Sequence, residues 1–470
     1  MKWLVDCFVR LFLASCIISS STVDSQRTAV ECPAGCEVDK CRCSEDETGE
    51  GLFVICEGLT GSFKTCLEVK VIEFQLHNST LTSIGPDDFP AESRLEFLDI
   101  TGNFKLETLD EHAFRELKSL RRILLEHNSL TKLEKAIFPV DAALEEIRLS
   151  NNKIDRILHE SVFAGLEGSL RDLRLGYNRL EGFVCPRLHK LNALDLRENR
   201  IRALEREAFR ECPHLIEINL SGNLLKDVKV NWTSLRELHT LDLNDNEIVE
   251  VEKDFQETLP NLRYLTIAFN QLRSIPPLPT KLMGLELTGN LFETIRERAF
   301  ENLTQLNYLD LSDLPELTTI EESAFAGLRY LTRIVIGFNR KLSSLPRYPW
   351  PESRDLHEIS LFANNISVFH RSLFEELDSL WAVNIEGNPI HCSCDNSWIR
   401  VEMDNEDFPW IYPWKNGSRA VRCRTPINLE GFLISQLNDY DLTCSLSRVV
   451  EHSLTTTNEG AILQVSTRRI

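Results

Sequence analysis

The sequence predicts an α/β solenoid: about fourteen short coils stacked into a horseshoe, with a parallel sheet on the concave face and a disulfide-bonded cap at each end. Three observations predict it. The first is a repeat, L-x-x-L-x-L-x-x-N-x-L, clear in Leu144, Ile147, Leu149, Asn152 and Ile154 and again in Leu238, Leu241, Leu243, Asn246 and Ile248. Its second apolar position recurs at Phe74, Leu98, Ile123, Ile147, Leu173, Leu194, Ile218, Leu241, Leu265, Leu285, Leu309, Ile334, Ile359 and Val383, which number coils 1 to 14 below. The second is a column of phenylalanines half a repeat later. The third is two clusters of cysteines, one before the first coil and one after the last.

The alternating L-x-L core predicts a short strand with one face inward. The asparagine three residues on falls where the chain turns, and its amide satisfies backbone groups that burial would otherwise orphan. Twelve coils carry Asn in this slot, from Asn103 to Asn388; Ser79 and Leu314 depart from it. At Leu314 the expectation is a weakened ladder unless Asp313 substitutes. Phe89, Phe114, Phe138, Phe163, Phe209, Phe255, Phe300, Phe325 and Phe374 form the second column and are read as core. The short repeats ending near Leu194 and Leu285 lack this ring, and Pro276, Pro277 and Pro279 replace it with an extended segment in the second of them. Narrow strands on one side and wider segments on the other bend the stack.

Lys2 precedes an apolar run at Leu11–Ile18, and Val23, Asp24 and Ser25 suit a cleavage site, so residues 1–25 read as a secretory signal peptide. Residues 26–67 follow as an N-terminal cysteine-rich cap, 68–387 as the repeats, 388–444 as a C-terminal cap and 445–470 as a flexible polar tail. No later stretch is apolar enough to span a membrane. Of the twelve cysteines outside the signal, ten lie in the caps, and clusters behind a signal read as disulfides. His391, Cys392 and Cys394 have ligand-like spacing, but a secreted chain favours bridges over zinc. Cys185 and Cys212 lie in consecutive coils, either bridged or filling apolar slots as free thiols.

A period of 20–29 residues with this spelling is that of the leucine-rich repeat, which the chain resembles. The flanks resemble those of extracellular proteins of this type. The C-terminal match runs through Asn388, Pro389, Cys392, Cys394, Trp398, Cys423, Pro426, Gly431 and Cys444; Ile390 departs from the more usual Trp or Leu. This resemblance implies bridges Cys392–Cys423 and Cys394–Cys444. The N-terminal flank is similar in Cys32, Pro33, Cys41, Cys43 and Cys56, which implies Cys32–Cys43 and Cys41–Cys56 and leaves Cys36 for Cys66. As a whole the chain resembles chondroadherin-like matrix proteins, small matrix proteoglycans and the non-catalytic subunits that carry a secreted enzyme or growth-factor complex. The N-terminal flank is also similar to the non-catalytic subunit of shrimp luciferase.

A net charge of −20 over 470 residues argues against nucleic acid and anionic membranes as partners. No phosphate loop, nucleophile elbow or H-E-x-x-H motif occurs, so neither catalysis nor a cofactor is expected. Five N-x-S/T sequons, at Asn78, Asn231, Asn302, Asn365 and Asn416, are candidate glycan acceptors. The working surface is expected on the concave face, where the repeat leaves side-chain choice open. Coils 3–6 present Arg122, Arg148, Arg174 and Arg197 among acids; later coils present Asp242, Asp245, Glu286 and Asp310. Tyr177, Tyr264, Phe269, Tyr308, Phe338 and Phe362 add aromatics, with Phe269, Phe338 and Phe362 expected to be exposed. Such a surface suits a protein or peptide partner bearing Lys or Arg beside apolar groups. The function expected is thus a secreted, non-enzymatic protein-binding scaffold. The alternatives are a stabilising subunit of a secreted enzyme, a matrix component or a soluble innate-immune recognition protein. Dimerisation through the same face is a further possibility.

Overall fold

A computed structural model describes residues 27–37, 39–140, 142–157, 160–403 and 421–442. The expected signal peptide, the tail, Asn416 and Cys444 lie outside the described residues. The chain is a solenoid of about fourteen turns and divides into two compact units. The first runs to Leu272 and includes Pro276–Glu286; the second comprises Arg273–Ile275 and the chain from Leu287.

The first unit opens with three cap strands. Thr28–Val30 pairs antiparallel with Cys41–Glu45, which pairs antiparallel with Leu52–Glu57. The third cap strand then runs parallel to the first repeat strand, Val71–His77. From there every strand pairs in parallel with the next as far as Gly284–Glu286, with the apolar residue always opposite its counterpart: Ile147, Leu173, Leu194, Ile218, Leu241, Leu265 and Leu285 share one line. In the second unit, Leu309, Ile334, Ile359 and Val383 form the same line. Repeat lengths differ but strand registers do not, because the extra residues fall on the opposite side of each coil.

The asparagines bind the coils together. The Asn152 amide nitrogen donates to Leu125 O at 2.8 Å in the preceding coil and to Leu149 O at 3.0 Å in its own, while its oxygen accepts from Leu130 N–H at 3.0 Å. Leu314 cannot do this, yet the gap is bridged. Its own N–H donates to Asn339 Oδ1 at 2.8 Å, and Asn339 and Asn290 donate to Leu311 O and Leu287 O. Asp313 does not substitute; it is exposed in the turn.

The residue before the asparagine slot has positive φ in all fourteen coils. Gly102, Gly222, Gly289 and Gly387 take it without strain. Tyr177, Phe269 and Phe338 take it at φ 56°, 51° and 58°, where a side chain crowds the backbone.

The phenylalanine column is continuous from Phe89 through Phe114, Phe138 and Phe163, with centroids 5.7–6.1 Å apart. Phe63 of the cap extends it at 5.6 Å. Tryptophans complete it elsewhere: Trp232 between Phe209 and Phe255, Trp350 after Phe325, and Trp398 of the C-terminal cap against Phe374. Between Phe163 and Phe209, where the short coil puts no ring in the column, Cys185 is bonded to Cys212. A closed loop of this length stabilises the fold by about 3–4 kcal/mol in the chain-entropy account. In the caps the bonds are Cys32–Cys43, Cys36–Cys66, Cys41–Cys56 and Cys392–Cys423. Cys394 is also disulfide-bonded.

Candidate protein-binding face

Each three-residue repeat strand buries its middle side chain, and in many of them the two flanking ones are only half-buried, as at Asp172–Arg174 and Thr240–Asp242; Ala382–Asn384 buries all three. These flanking residues, and those of the following turn, form the candidate face in each unit.

In coils 4–6 the charges on this face are paired within their own coil. Arg148 bonds Glu146, Arg174 bonds Asp172 at 2.9 Å and Arg197 bonds Asp195 at 2.8 Å. Burial works against the Arg174 charge, but Asp172, with Asp195 and Glu146 beyond, outweighs it and raises its pKa. Arg122 of coil 3 lies over the Phe97 ring at 4.7 Å, and Arg197 over Tyr177 at 5.9 Å. Tyr177 remains 46% exposed.

Coils 7–9 differ. Burial pushes the Glu217 carboxyl up, with Arg174 opposing, and pushes the Asp242 carboxyl up as well. Asp242 accepts from Asn244 N–H at 3.0 Å and from the Thr266 hydroxyl at 2.9 Å. Asp245 is exposed in the turn. The Tyr264 ring lies against Gly284, whose missing Cβ would come within 2.9 Å of it. Phe269 is 43% exposed, and no ring stacks on it among the described residues. Glu286 stands opposite Thr266 in the next strand.

In the second unit Asp310 accepts from Ser312 N–H at 2.9 Å and from the Tyr308 hydroxyl at 3.2 Å, and burial raises its pKa. Arg333 lies 5.9 Å from the Tyr308 ring centre and 3.3 Å from Glu358. The expected exposure of Phe338 and Phe362 is corrected here. Their rings meet edge to face at 4.6 Å, and Phe362 occupies the space that a Cβ on Gly337 would need, so both are half-buried.

Two features were missed in the sequence. Acids two residues from an arginine neutralise it on the same strand. Asp or Asn between the two strand apolars caps the departing backbone: Asp99, Asp195, Asn219, Asp242, Asp310 and Asn384 each accept an N–H from two residues on. The recurrence of Asp or Asn in one slot was the available signal.

Of the sequons, Asn78, Asn302 and Asn365 are exposed. Asn231 is half-buried; its nitrogen donates to Glu207 at 3.1 Å and its oxygen accepts from Thr233 N–H at 3.2 Å, which caps the short turn Trp232–Ser234. Among the described residues no helix is long and apolar enough to cross a membrane.

The chain is 25% identical to the CD180 antigen of Mus musculus over 399 residues, 82% of this chain and 55% of that protein. It is 31% identical to keratocan of Homo sapiens over 159 residues, 33% of this chain and 43% of the other. It is 28% identical to podocan of Mus musculus over 327 residues, 67% and 52% respectively. The chain thus spans about half the length of these curated relatives. Among solved structures, that of the TLR13–ssRNA13 complex matches with TM-score 0.57 and 21% identity, covering 82% of this chain and 63% of the other. The LRR protein LIC12759 of Leptospira interrogans matches with TM-score 0.53 and 23% identity, covering 74% and 87%. At these identities the likeness shows the fold. The model described as Leucine rich repeat matches residues 70–130, 118–180, 189–246 and 280–340, and that described as Leucine Rich repeats (2 copies) matches 236–280. These matches run along more than half of the chain, which belongs to the leucine-rich repeat family.

Proposed function

We propose that this protein is a secreted, non-enzymatic scaffold that holds a protein partner on the outward strand face. The observation that carries the reading is the cost of Tyr177 and Phe269. Both residues are nearly half exposed, and both sit at a positive φ that glycine takes freely in four other coils. Arg197 lies over one side of Tyr177 and no ring stacks on Phe269 among the described residues, and exposed aromatics at strained positions suit the anchoring of a partner. The caps support secretion, because disulfides persist in oxidising compartments. The similarity to podocan fits a matrix setting, and the similarity to the CD180 antigen fits an immune one. Among the described residues, Asn78, Asn302 and Asn365 are the exposed sequons.

The test is capture from the source's extracellular fluid on the immobilised protein and on a variant carrying Tyr177→Gly, Phe269→Gly and Asp310→Ala. A stoichiometric partner held by the wild type and lost by the folded variant is the expected result. Equal capture by both moves the site off this face and overturns the reading.

A further inference from the structure

We infer that the flank of coils 4–7 in the first unit is a binding strip for a single sulfated polysaccharide chain laid along the solenoid. The strip is a different surface from the strand face. It rests on the secreted setting proposed above and not on the partner site.

One residue past the asparagine, the backbone N–H of each of these coils donates to the coil before it. Lys153 donates to Leu130 O and Arg179 to Ile154 O, both at 2.8 Å, and Arg200 to Leu180 O at 2.9 Å. Three cations thus occupy one slot in three consecutive coils, spaced by about 4.8 Å. Arg202 and Lys226, each three residues past the asparagine of coils 6 and 7, extend the row. All five are exposed, and among the described residues none of their side chains enters a hydrogen bond or an ion pair. Most acids nearby are engaged elsewhere: Asp155 is bonded to Arg156 at 3.4 Å, Asp227 to Lys229 at 3.0 Å, and Glu198 leans onto Gly222. Glu181, two residues beyond Arg179, is exposed and in no ion pair.

The opposite flank, ahead of the strands, treats a cation otherwise. Arg121 lies 3.8 Å from Glu96 and 3.6 Å from Glu145, in the coils on either side of its own. Like charges stacked rung on rung repel, and a chain with net charge −20 has acids enough to pair them. A row left unpaired in such a chain fits a linear anion whose charges repeat along the solenoid. A membrane or a nucleic acid duplex is broad and brings its charge within a Debye length, about 8 Å, of the surrounding acids. A single polysaccharide chain is narrow and meets the strip alone. Its sulfate esters stay ionised, and a guanidinium forks onto their oxygens. In coil 2 the residue one past the asparagine is Phe104, 69% exposed, whose ring suits the apolar face of a sugar. Ser129, in the coil between, is buried and leaves the line clear.

The probe is a fluorescent, fully sulfated heparin octasaccharide, compared with its desulfated form and with a single-stranded oligonucleotide of equal charge. At about 0.15 M salt the full protein binds the sulfated probe saturably, about 10-fold more tightly than either comparator. Lys153→Gln with Arg179→Gln and Arg200→Gln weakens it about 30-fold and lowers the slope of log affinity against log salt by about 2. The same variant melts at an unchanged or higher temperature, because stacked like charges are gone. Phe104→Ala weakens binding about 3-fold and leaves the salt slope as it was. A control, Lys118→Gln with Lys190→Gln and Arg236→Gln, removes three exposed cations dispersed ahead of their strands and alters affinity less than about 2-fold. An equal loss in the control, equal binding of the desulfated probe or of the oligonucleotide, or no saturable binding up to about 1 mM overturns the inference. Phe269→Gly tests the strand face and leaves octasaccharide binding unchanged, so either reading can fail without the other.

Discussion

Coils 4–6 and coils 7–9 share one backbone and one register but treat charge in opposite ways. In the first group each carboxylate between two arginines is consumed inside its own coil, as in Asp172–Arg174 and Asp195–Arg197. In the second, no ion pair reaches Glu217, Asp242 or Asp245 among the described residues, and Arg174 and Arg197 act on Glu217 and Asp242 only through space while bonded to their own carboxylates. The same geometry thus supports a face whose carboxylates are bonded to arginine within the coil in one stretch and not in the next. Side-chain composition at two positions per strand makes the difference, and the fold itself is indifferent to it.

The shared core sets the scale against which that difference is read. Phe138→Ala removes a ring stacked at 5.9 Å on Phe163, and destabilises the protein by about 3–5 kcal/mol in chemical denaturation. Next is Arg174→Met, which leaves Asp172 facing Asp195 and Glu146 without their cation. It lowers stability by about 1–2 kcal/mol, and high salt recovers part of the loss. Glu217→Gln has the opposite sign. Burial raises the Glu217 pKa, so its contribution to stability is fully present below the unfolded pKa and is lost as pH rises through the folded one. The glutamine variant therefore melts at the same temperature or higher at pH 7, and its melting temperature falls less between pH 4 and pH 7. A variant less stable than the wild type at pH 7 would assign Glu217 to the group bonded to arginine. The smallest effect is that of Phe269→Gly. Relief of the left-handed strain and the greater freedom of glycine in the unfolded chain offset one another, so stability changes by less than about 1 kcal/mol. A loss approaching that of Phe138→Ala would show that the exposed ring is structural.

The frame of the molecule was legible in the sequence because a solenoid repeats every constraint. Ile147 and Leu241 announce the same slot, and so do Asn152 and Asn246. What was not legible depends on which way a side chain leans. Trp232, Trp350 and Trp398 fill slots of the ring column in segments where the Phe spacing drifts, and a search for Phe alone passes over them. Asp242 and Asp310 read as surface charges but spend part of their capacity on backbone N–H groups. Phe338 and Phe362 sit in coils that both look outward in sequence, yet the rings tilt together across Gly337.

The positive-φ turn before each asparagine has one further consequence. It ends every strand at the same point, so repeats of 20 to 26 residues all return to the same rung. Within each unit the strand face is therefore a ruler, graduated at about 4.8 Å whatever the length of chain between its marks. Insertions or deletions on the far side of a coil leave the graduation unchanged. A partner fitted to this face reads intervals, and a change of one coil displaces its contacts by a whole rung and never by a fraction.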